Sequence, residues 1–508
     1  MAHRTTIRFL LGNEPRALTD VDPTLTVLDW LRGTERRLGT KEGCAEGDCG
    51  ACTVVVGRLV DGAVTYEAIN ACIRFLATLD GCQLLTVEHL KRPDGTLHPV
   101  QQAMVDCHGS QCGFCTPGFV MSLYALNRAE AAPSGGVLDE QRIDDALAGN
   151  LCRCTGYAPI VAAAQQLRDR VPDHIDDALP TVTRALAALA DDAVVETGCH
   201  GRRFLAPATV DQLADLVLAN PDATIVSGAT DVGLWVTKHQ KVLSTVIYTG
   251  RVAGLARITD RGDALELGAG VTFTAAKAAL GALHPDLDEL LRRVGAEQVR
   301  NAGTIGGNIA NGSPIGDTPP ALIALGASLT LRRGAQRRTL PLQDYFLAYG
   351  KQDRQPGEFV ESVTVPKPGK GDLFAAYKIS KRFDQDISAL CACFLVTVDD
   401  DGRVTRAHLA YGGMAGTPKR AGAAEAALVG RPWDAAAARD AKAALAQDFT
   451  PLSDWRASAA YRLTVAGNLL LKFQAESMAD APATRVLACR AQGCDIAKAG
   501  PRGEGYHA

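Results

Sequence analysis

Cys44, Cys49 and Cys52 are spaced C-x4-C-x2-C, and Cys72 follows after nineteen intervening residues. Four thiolates in this spacing form the ligand pattern of a plant-type [2Fe–2S] cluster. One short loop must wrap such a cluster and present its thiolates while backbone N–H groups face the sulfurs. Gly43, Gly47 and Gly50 fall where that loop needs a left-handed φ or a close backbone approach. A structural zinc site is the alternative, but zinc ligands usually come as two C-x2-C pairs, which this stretch lacks. A second set comprises Gln111-Cys112-Gly113-Phe114-Cys115-Thr116-Pro117-Gly118 and Leu151-Cys152-Arg153-Cys154-Thr155-Gly156-Tyr157. One thiolate pair from each loop would close another four-cysteine site. Its C-x2-C half is zinc-like and its C-x-C half less so, and both cluster and zinc stay open on spacing alone. Both loops abut helical patterns, and helix N-termini aimed at the site would favour its negative charge.

Two later stretches suit a phosphorylated ligand. Ala223-Thr224-Ile225-Val226-Ser227-Gly228-Ala229-Thr230-Asp231-Val232-Gly233 runs from a strand into a turn of small residues. Taken alone, it reads as a tight turn. Arg300 to Asp317 is dense in Gly, Asn, Ser and Thr, including Thr304, Gly306, Gly307 and Asn308. Such loops expose consecutive N–H groups and short polar side chains to a pyrophosphate. Leu267-Gly268-Ala269-Gly270-Val271 looks like half of a dinucleotide fingerprint but lacks its third glycine and its helix.

The elements that must position these residues fall into several units, as expected for 508 residues. Residues 1–90 alternate like strands, with a strand at Thr6 to Leu11, a helix at Leu25 to Leu38 and a hairpin-like run from Thr53 to Tyr66. This predicts a compact ferredoxin-like α+β unit. Residues 91–168 are helical, with apolar spacing over Val100 to Cys107 and Gly118 to Arg128. Residues 169–195 read as a connector with some helix near Thr183 to Leu189. Residues 196–366 alternate strands and helices. Residues 370–480 form a smaller α+β unit, with strands at Ala389 to Val398 and Val404 to Tyr411, helix over 421–446, and a final helix from Trp455 to Phe473. The tail, 481–508, shows no packing pattern and is expected to be disordered.

Composition limits the alternatives. The chain is 47% hydrophobic and 22% charged, with a net charge of −4. That is an ordinary globular profile with no basic patch for nucleic acid. No apolar run reaches membrane-spanning length, and Met1 to Gly12 lacks a leader pattern, so neither a membrane nor export is expected. Fifteen cysteines, clustered at ligand spacings, point to a reducing, cytoplasmic setting and metal work. Cys82, Cys107, Cys199, Cys391, Cys393, Cys489 and Cys494 read as packing or tail thiols. Cys391 and Cys393 share one face of a strand. His98, His108 and His284 show no ligand spacing. Arg332, Arg333, Arg337 and Arg338 read as a solvated face.

The two cysteine sets followed by the two loops, in this order, resemble the molybdenum hydroxylases. Within them the nearest likeness is to the iron–sulfur/FAD small subunits of bacterial xanthine dehydrogenases, from about residue 5 to residue 475. Tyr377 to Ser388 and Ala410 to Ala415 are similar to the family's flavin-side loop and the strand that follows it. The resemblance implies a multidomain α+β chain: a β-grasp [2Fe–2S] ferredoxin domain, a helical-bundle [2Fe–2S] domain, an FAD domain of the vanillyl-alcohol-oxidase type and a C-terminal α+β flavoprotein domain. It implies that Cys44, Cys49, Cys52 and Cys72 hold the cluster nearer FAD, and Cys112, Cys115, Cys152 and Cys154 the one nearer molybdenum. Ile225, Val226, Ser227, Gly228, Ala229, Thr230, Asp231 and Val232, with Thr304, Gly306, Gly307 and Asn308, would bind FAD largely through backbone. Asp317 and Lys378 would add side-chain contacts. Val294 stands where some relatives place an aromatic ring on the adenine. Tyr349, Gln385 and Asp386 would face the nicotinamide of NAD. The implied partner is a molybdopterin-bearing large subunit in an α2β2 heterotetramer, where xanthine or hypoxanthine is oxidised. Electrons would then pass through the second cysteine set, the first set and FAD to NAD+. The alternatives are a subunit of an aldehyde or N-heterocycle hydroxylase using oxygen or quinone, and a stand-alone iron–sulfur flavoprotein carrier.

Overall fold

A computed structural model describes residues 2–129, 140–167, 172–478, 481 and 484. The expectation for the tail, with Cys489 and Cys494, falls on residues that, apart from 481 and 484, lie outside the described ones.

The multidomain α+β reading holds. In the first unit, five strands lie side by side in the order Glu14–Leu18, Ile7–Leu11, Gln83–Leu85, Thr53–Val60, Ala63–Asn70. Ile7–Leu11 runs parallel to Gln83–Leu85, and the other pairs are antiparallel. Helix Val27–Gly33 lies across this sheet, burying Val27, Leu28, Trp30 and Leu31. The helix is shorter than the apolar pattern of Leu25 to Leu38 suggests. It starts at Thr26, whose hydroxyl accepts from Asp29 N, an N-cap that satisfies an orphan donor.

The helical unit contains Pro99–Asp106, Thr116–Ala129, Glu140–Leu147 and Ala158–Gln166. Its core includes Phe119, Leu123, Tyr124, Ile143 and Ile160, all buried. The connector is far more helical than expected. One helix runs His174–Leu189 straight through Pro180, capped by Asp173. Val182 and Leu186 pack with Leu10 of the first sheet, so tertiary burial overrides a composition that reads as linker.

In the third unit a five-stranded sheet has the order His3–Arg4, Val194–Thr197, Arg203–Ala206, Thr245–Tyr248, Thr224–Val226. Its first strand comes from the N-terminus: His3 pairs with Val194 and Arg4 with Val195. A second, antiparallel sheet holds Ile258–Asp260, Ala264–Gly268, Phe359–Pro366, Ser328–Arg333 and Gln336–Pro341. The arginines here are not a uniformly solvated face. Arg332 is buried, because Glu361 of the neighbouring strand, at 3.2 Å, and Asp211 both pair with its guanidinium.

The last unit is an antiparallel sheet of Asp372–Ile379, Leu390–Val398, Val404–Gly412 and Lys419–Arg420, covered by Ala435–Asp448 and Ala459–Glu476. The final helix starts after Trp455, at Ala459, where the Ser458 hydroxyl caps it. Cys391 and Cys393 are fully buried on one strand face, their sulfurs 3.9 Å apart.

Candidate functional site

The Cys44 to Cys52 loop is built as its glycines require. Gly47 and Gly50 have φ of +78° and +68°, a region that costs other residues dearly. A Cβ on Gly43 would stand 2.7 Å from the Cys49 sulfur. Ala45 also adopts a left-handed φ of +53°. The N–H groups of Asp48 and Cys49 both donate to the Cys44 sulfur at 3.3 Å, and that of Glu46 at 3.5 Å. Cys72 closes the set from the far end of the hairpin, within hydrogen-bond reach of the Cys44 and Cys52 thiols. Bonds from the Cys49 and Cys72 thiols, reinforced by these amides, hold the Cys44 thiol far below its ordinary range. Such N–H···S bonds stabilise thiolate and tune a cluster's potential. Four convergent thiols with amides turned to sulfur fit an iron–sulfur cluster.

In the second set, Cys112 lies within reach of Cys154 and Cys115 within reach of Cys152. Burial and the Cys152 contact push Cys115 up to about 12. Cys112 and Cys154 are exposed, as are Phe114, Leu151 and Tyr157 around them. Helix Thr116–Ala129 begins directly after Cys115, and Ala158–Gln166 shortly after Cys154. Among the described residues, no group of three or more His, Cys, Asp or Glu is arranged to hold a single metal ion.

The two sets touch. Leu151 N donates to Cys49 O at 3.0 Å, joining the residue before Cys152 to a member of the first set. A Cβ on Gly118 would lie 2.2 Å from Gly50 O, and one on Gly50 2.2 Å from Gly149 O. Only bare glycines let these loops approach so closely.

On its other side the first set abuts the third unit. Thr237 donates to Ala45 O at 2.7 Å, and Lys238 pairs with Glu46 at 3.4 Å. A Cβ on Gly233 would stand 2.7 Å from Ile73 O. Helix Val232–Thr237 thus packs beside Cys72 while its first residue, Val232, lines a cavity of about 570 Å³. Ile225 to Val232, Thr304, Gly306, Gly307 and Asn308 all line that cavity. The two loops lock together: a Cβ on Gly228 would fall 1.9 Å from Ala302 O. Ala229 adopts a left-handed φ of +61°, a costly conformation kept where the cavity needs it. Thr304 caps helix Ile305–Asn311 by accepting from Gly307 N at 3.0 Å. Cradled backbone of this kind fits the phosphates of a dinucleotide.

The sequence reading missed the cavity's aromatic and long-chain walls: Trp235, Phe273, Phe359, Gln352 and Arg354. They come from four separate segments, and no local motif marks them. Ala269 also lines the cavity, so the discounted Leu267 to Val271 stretch contributes wall, not fingerprint. Val294 does not line it and packs instead on the adjoining core.

Asp317 and Lys378 do not line the cavity. They bind each other, Nζ to Oδ2 at 2.5 Å, with side chains 7% and 3% exposed, and Ser388 donates to Asp317 Oδ1 at 2.5 Å. Tyr349 is 78% exposed, next to the cavity residue Gly350. Gln385, with φ +49°, donates to Ala148 O beside the second cysteine set, and Asp386 accepts from Arg382 N at 2.8 Å. The structure therefore places Gln385 and Asp386 on a loop reaching the cysteine units.

Comparisons with known proteins agree with this layout. Residues 86–165 match a [2Fe-2S] binding domain, 196–368 an FAD binding domain in molybdopterin dehydrogenase, and 375–477 a CO dehydrogenase flavoprotein C-terminal domain. Three separate stretches are thus similar to iron–sulfur and flavin domains of molybdopterin and carbon monoxide dehydrogenases. It is 32% identical over 471 residues to xanthine dehydrogenase of Emericella nidulans, covering 81% of this chain and 34% of the relative. It is 30% identical over 458 residues to xanthine dehydrogenase/oxidase of Rattus norvegicus, covering 80% and 34%. The chain thus spans about a third of the length of the curated relatives it matches. Among solved structures, carbon monoxide dehydrogenase from Hydrogenophaga pseudoflava matches with 27% identity and a TM-score of 0.50, over 53% of this chain and 94% of that one. No helix among the described residues is long and apolar enough to cross a membrane.

Proposed function

We propose that this chain is the iron–sulfur/FAD electron-transfer subunit of a xanthine dehydrogenase, working with a molybdopterin-bearing large subunit in an α2β2 assembly in the cytoplasm. The observation that carries the reading is spatial continuity. The second cysteine set touches the first through Cys49 and Leu151, and the first touches the helix that lines the cavity. When bound, two [2Fe–2S] clusters supply one-electron transfer, and FAD converts single electrons into a hydride for NAD+.

The chain's own residues have separable tasks. Cys44, Cys49, Cys52 and Cys72 hold one cluster beside the cavity. Cys112, Cys115, Cys152 and Cys154 hold the other at the surface, where exposed Phe114, Leu151 and Tyr157 offer the partner an apolar rim. Backbone of Ile225 to Val232 and Thr304 to Asn308 grips the FAD phosphates. The Asp317–Lys378 pair fixes the wall between the third and last units. Tyr349, Gln385 and Asp386 border the approach of NAD.

The purified chain should show flavin and [2Fe–2S] absorption together; a colourless zinc protein refutes the reading. Cys115→Ser should abolish one cluster's EPR signal and stop electron flow from the partner, while NADH-to-dye activity through FAD survives. Loss of that activity instead would refute the order of the relay. Co-purification with a molybdopterin-bearing chain that reduces NAD+ with xanthine tests the substrate. A second reading, the matching subunit of another molybdenum hydroxylase, draws support from the 94% coverage of a carbon monoxide dehydrogenase chain, and activity with aldehyde or N-heterocycle but not xanthine would favour it.

A further inference from the structure

Where the two cysteine sets meet, a third party is present. Gln298, from the short helix Glu297–Arg300 of the third unit, reaches into the contact. Its Nε2 lies 3.3 Å from Thr53 Oγ1, 3.1 Å from Ser122 Oγ and 3.0 Å from Asn150 Oδ1. Ser122 donates to Asn150 Oδ1 at 2.7 Å, and Asn150 Nδ2 donates to Gly50 O at 3.2 Å. Thr53 directly follows Cys52, Ser122 lies on the helix that starts after Cys115, and Asn150 stands two residues before Cys152. All four side chains belong to buried residues, Gln298 being 1% exposed.

One detail separates this from ordinary domain adhesion. Gln298 Oε1 is buried with no hydrogen-bond partner among the described residues, and it points at Gly149, where a Cβ would stand 2.1 Å away. An unpaired buried acceptor opposes folding, and a hydrocarbon of the same shape would avoid it. What the amide does do is tie a residue near each ligand set to one point. The same segment then runs through Asn301 into the cavity-lining Gly303 and Thr304.

We propose that Gln298 is a positioning residue for the passage of one electron between the two cysteine sites, an inference that rests on reading both as cluster sites. With clusters bound, Cys112, Cys115, Cys152 and Cys154 would hold the centre that gives up one electron, and Cys44, Cys49, Cys52 and Cys72 the centre that accepts it. No bond forms or breaks and no proton moves. The Gln298 amide fixes the length of the Leu151 N–H to Cys49 O contact across which the two sites face each other.

The test uses the full chain loaded with iron, sulfide and FAD, comparing wild type with Gln298→Leu and Ser122→Ala. Low-temperature EPR of the reduced protein reads the magnetic splitting between the centres, and flash reduction reads the rate of equilibration between them. In Gln298→Leu both centres' signals remain, the splitting changes, and equilibration slows by about tenfold to a hundredfold, the scale of loss when a group supporting metal ligands is removed. Ser122→Ala shifts both readouts less, in the same direction. A purely structural role would lower the melting temperature and leave splitting and rate at wild-type values; that result in both variants overturns the proposal. If Gln298→Leu fails to load both centres, Ser122→Ala alone decides by the same criterion. Absence of one of the two signals in the wild-type protein would instead overturn the cluster reading.

Discussion

Lys378→Met should destabilise the last unit strongly, and the pair it breaks sets the size. Lys378 Nζ sits 2.5 Å from Asp317 Oδ2, and both side chains are almost wholly buried. Removing one partner of a buried ion pair typically costs about 3–5 kcal/mol, because the other charge is left uncompensated. Two features soften the loss here. The Ser388 hydroxyl still donates to Asp317 Oδ1 at 2.5 Å, and Asp317 stands at the start of helix Thr318–Ala324. Together these offset about 1 kcal/mol, leaving an expected loss of about 2–4 kcal/mol. Hydrogen exchange is the suitable assay, since a multidomain chain has no single unfolding free energy. Strands Asp372–Ile379 and Leu390–Val398 should lose that protection in flavin-stripped protein, while the sheet around Val54 to Val56 keeps its own. Adding Asp317→Asn should recover most of the loss, because replacing both charges removes the unpaired one. A single variant within about 0.5 kcal/mol of wild type, the range of ordinary surface substitutions, refutes the argument. So does a double variant no better than the single.

Other expectations follow from particular contacts. Gly228→Ala should abolish retention of FAD, read as the flavin absorbance that survives gel filtration, because its Cβ would meet the Ala302 carbonyl, a backbone group, at 1.9 Å. Stability should fall as pH drops from about 6.5 towards about 4, by up to about 3 kcal/mol. Burial, with nearby Arg37, lowers His89 to about 4, so the fold needs its neutral ring and loses that contribution as the unfolded chain takes up a proton first. The pH dependence of hydrogen-exchange protection in strand Gln83–Leu85 across this range should flatten in His89→Gln. Asp173→Asn should cost about 1.5–3 kcal/mol at neutral pH. Burial alone would raise this carboxyl, yet the His98 bond at 2.7 Å and the Asp176 amide hold it well below the carboxylate range. The wild-type contribution is therefore present above the unfolded value near about 3.9 and lost in acid, which the variant's acid unfolding curve should no longer show.

The cysteine loops and the phosphate-type loops were legible because each depends on local backbone. A left-handed φ at Gly47 and Gly50 is written in the glycines themselves, and Gly43 against Cys49 needs no partner from afar. The strands at Leu390–Val398 and Val404–Gly412 carried their own alternation. What failed was set by tertiary contact. The composition of 169–195 reads as linker, yet Val182 and Leu186 find an apolar partner on the first sheet and extend the helix to His174. Arg332 looks like a surface charge until Glu361 and Asp211 appear beside it. The cavity walls at Phe273, Gln352 and Phe359 are assembled from distant segments, as is Gln298, whose isolated side chain carries no motif.

The strand His3–Arg4 has a consequence for biosynthesis. It belongs to the sheet of the third unit, through Val194 and Val195, although the whole of both cysteine units is translated between them. The chain's first structural residues must wait, unpaired, until residue 197 or so has left the ribosome, while units that emerge earlier can already fold. Grafting a related N-terminal module onto this chain at the 168–172 junction would therefore exchange an edge strand of the cavity-bearing sheet as well. Chimeras cut there inherit a foreign pairing at His3 and Arg4, and a boundary that looks natural along the sequence divides a sheet in space.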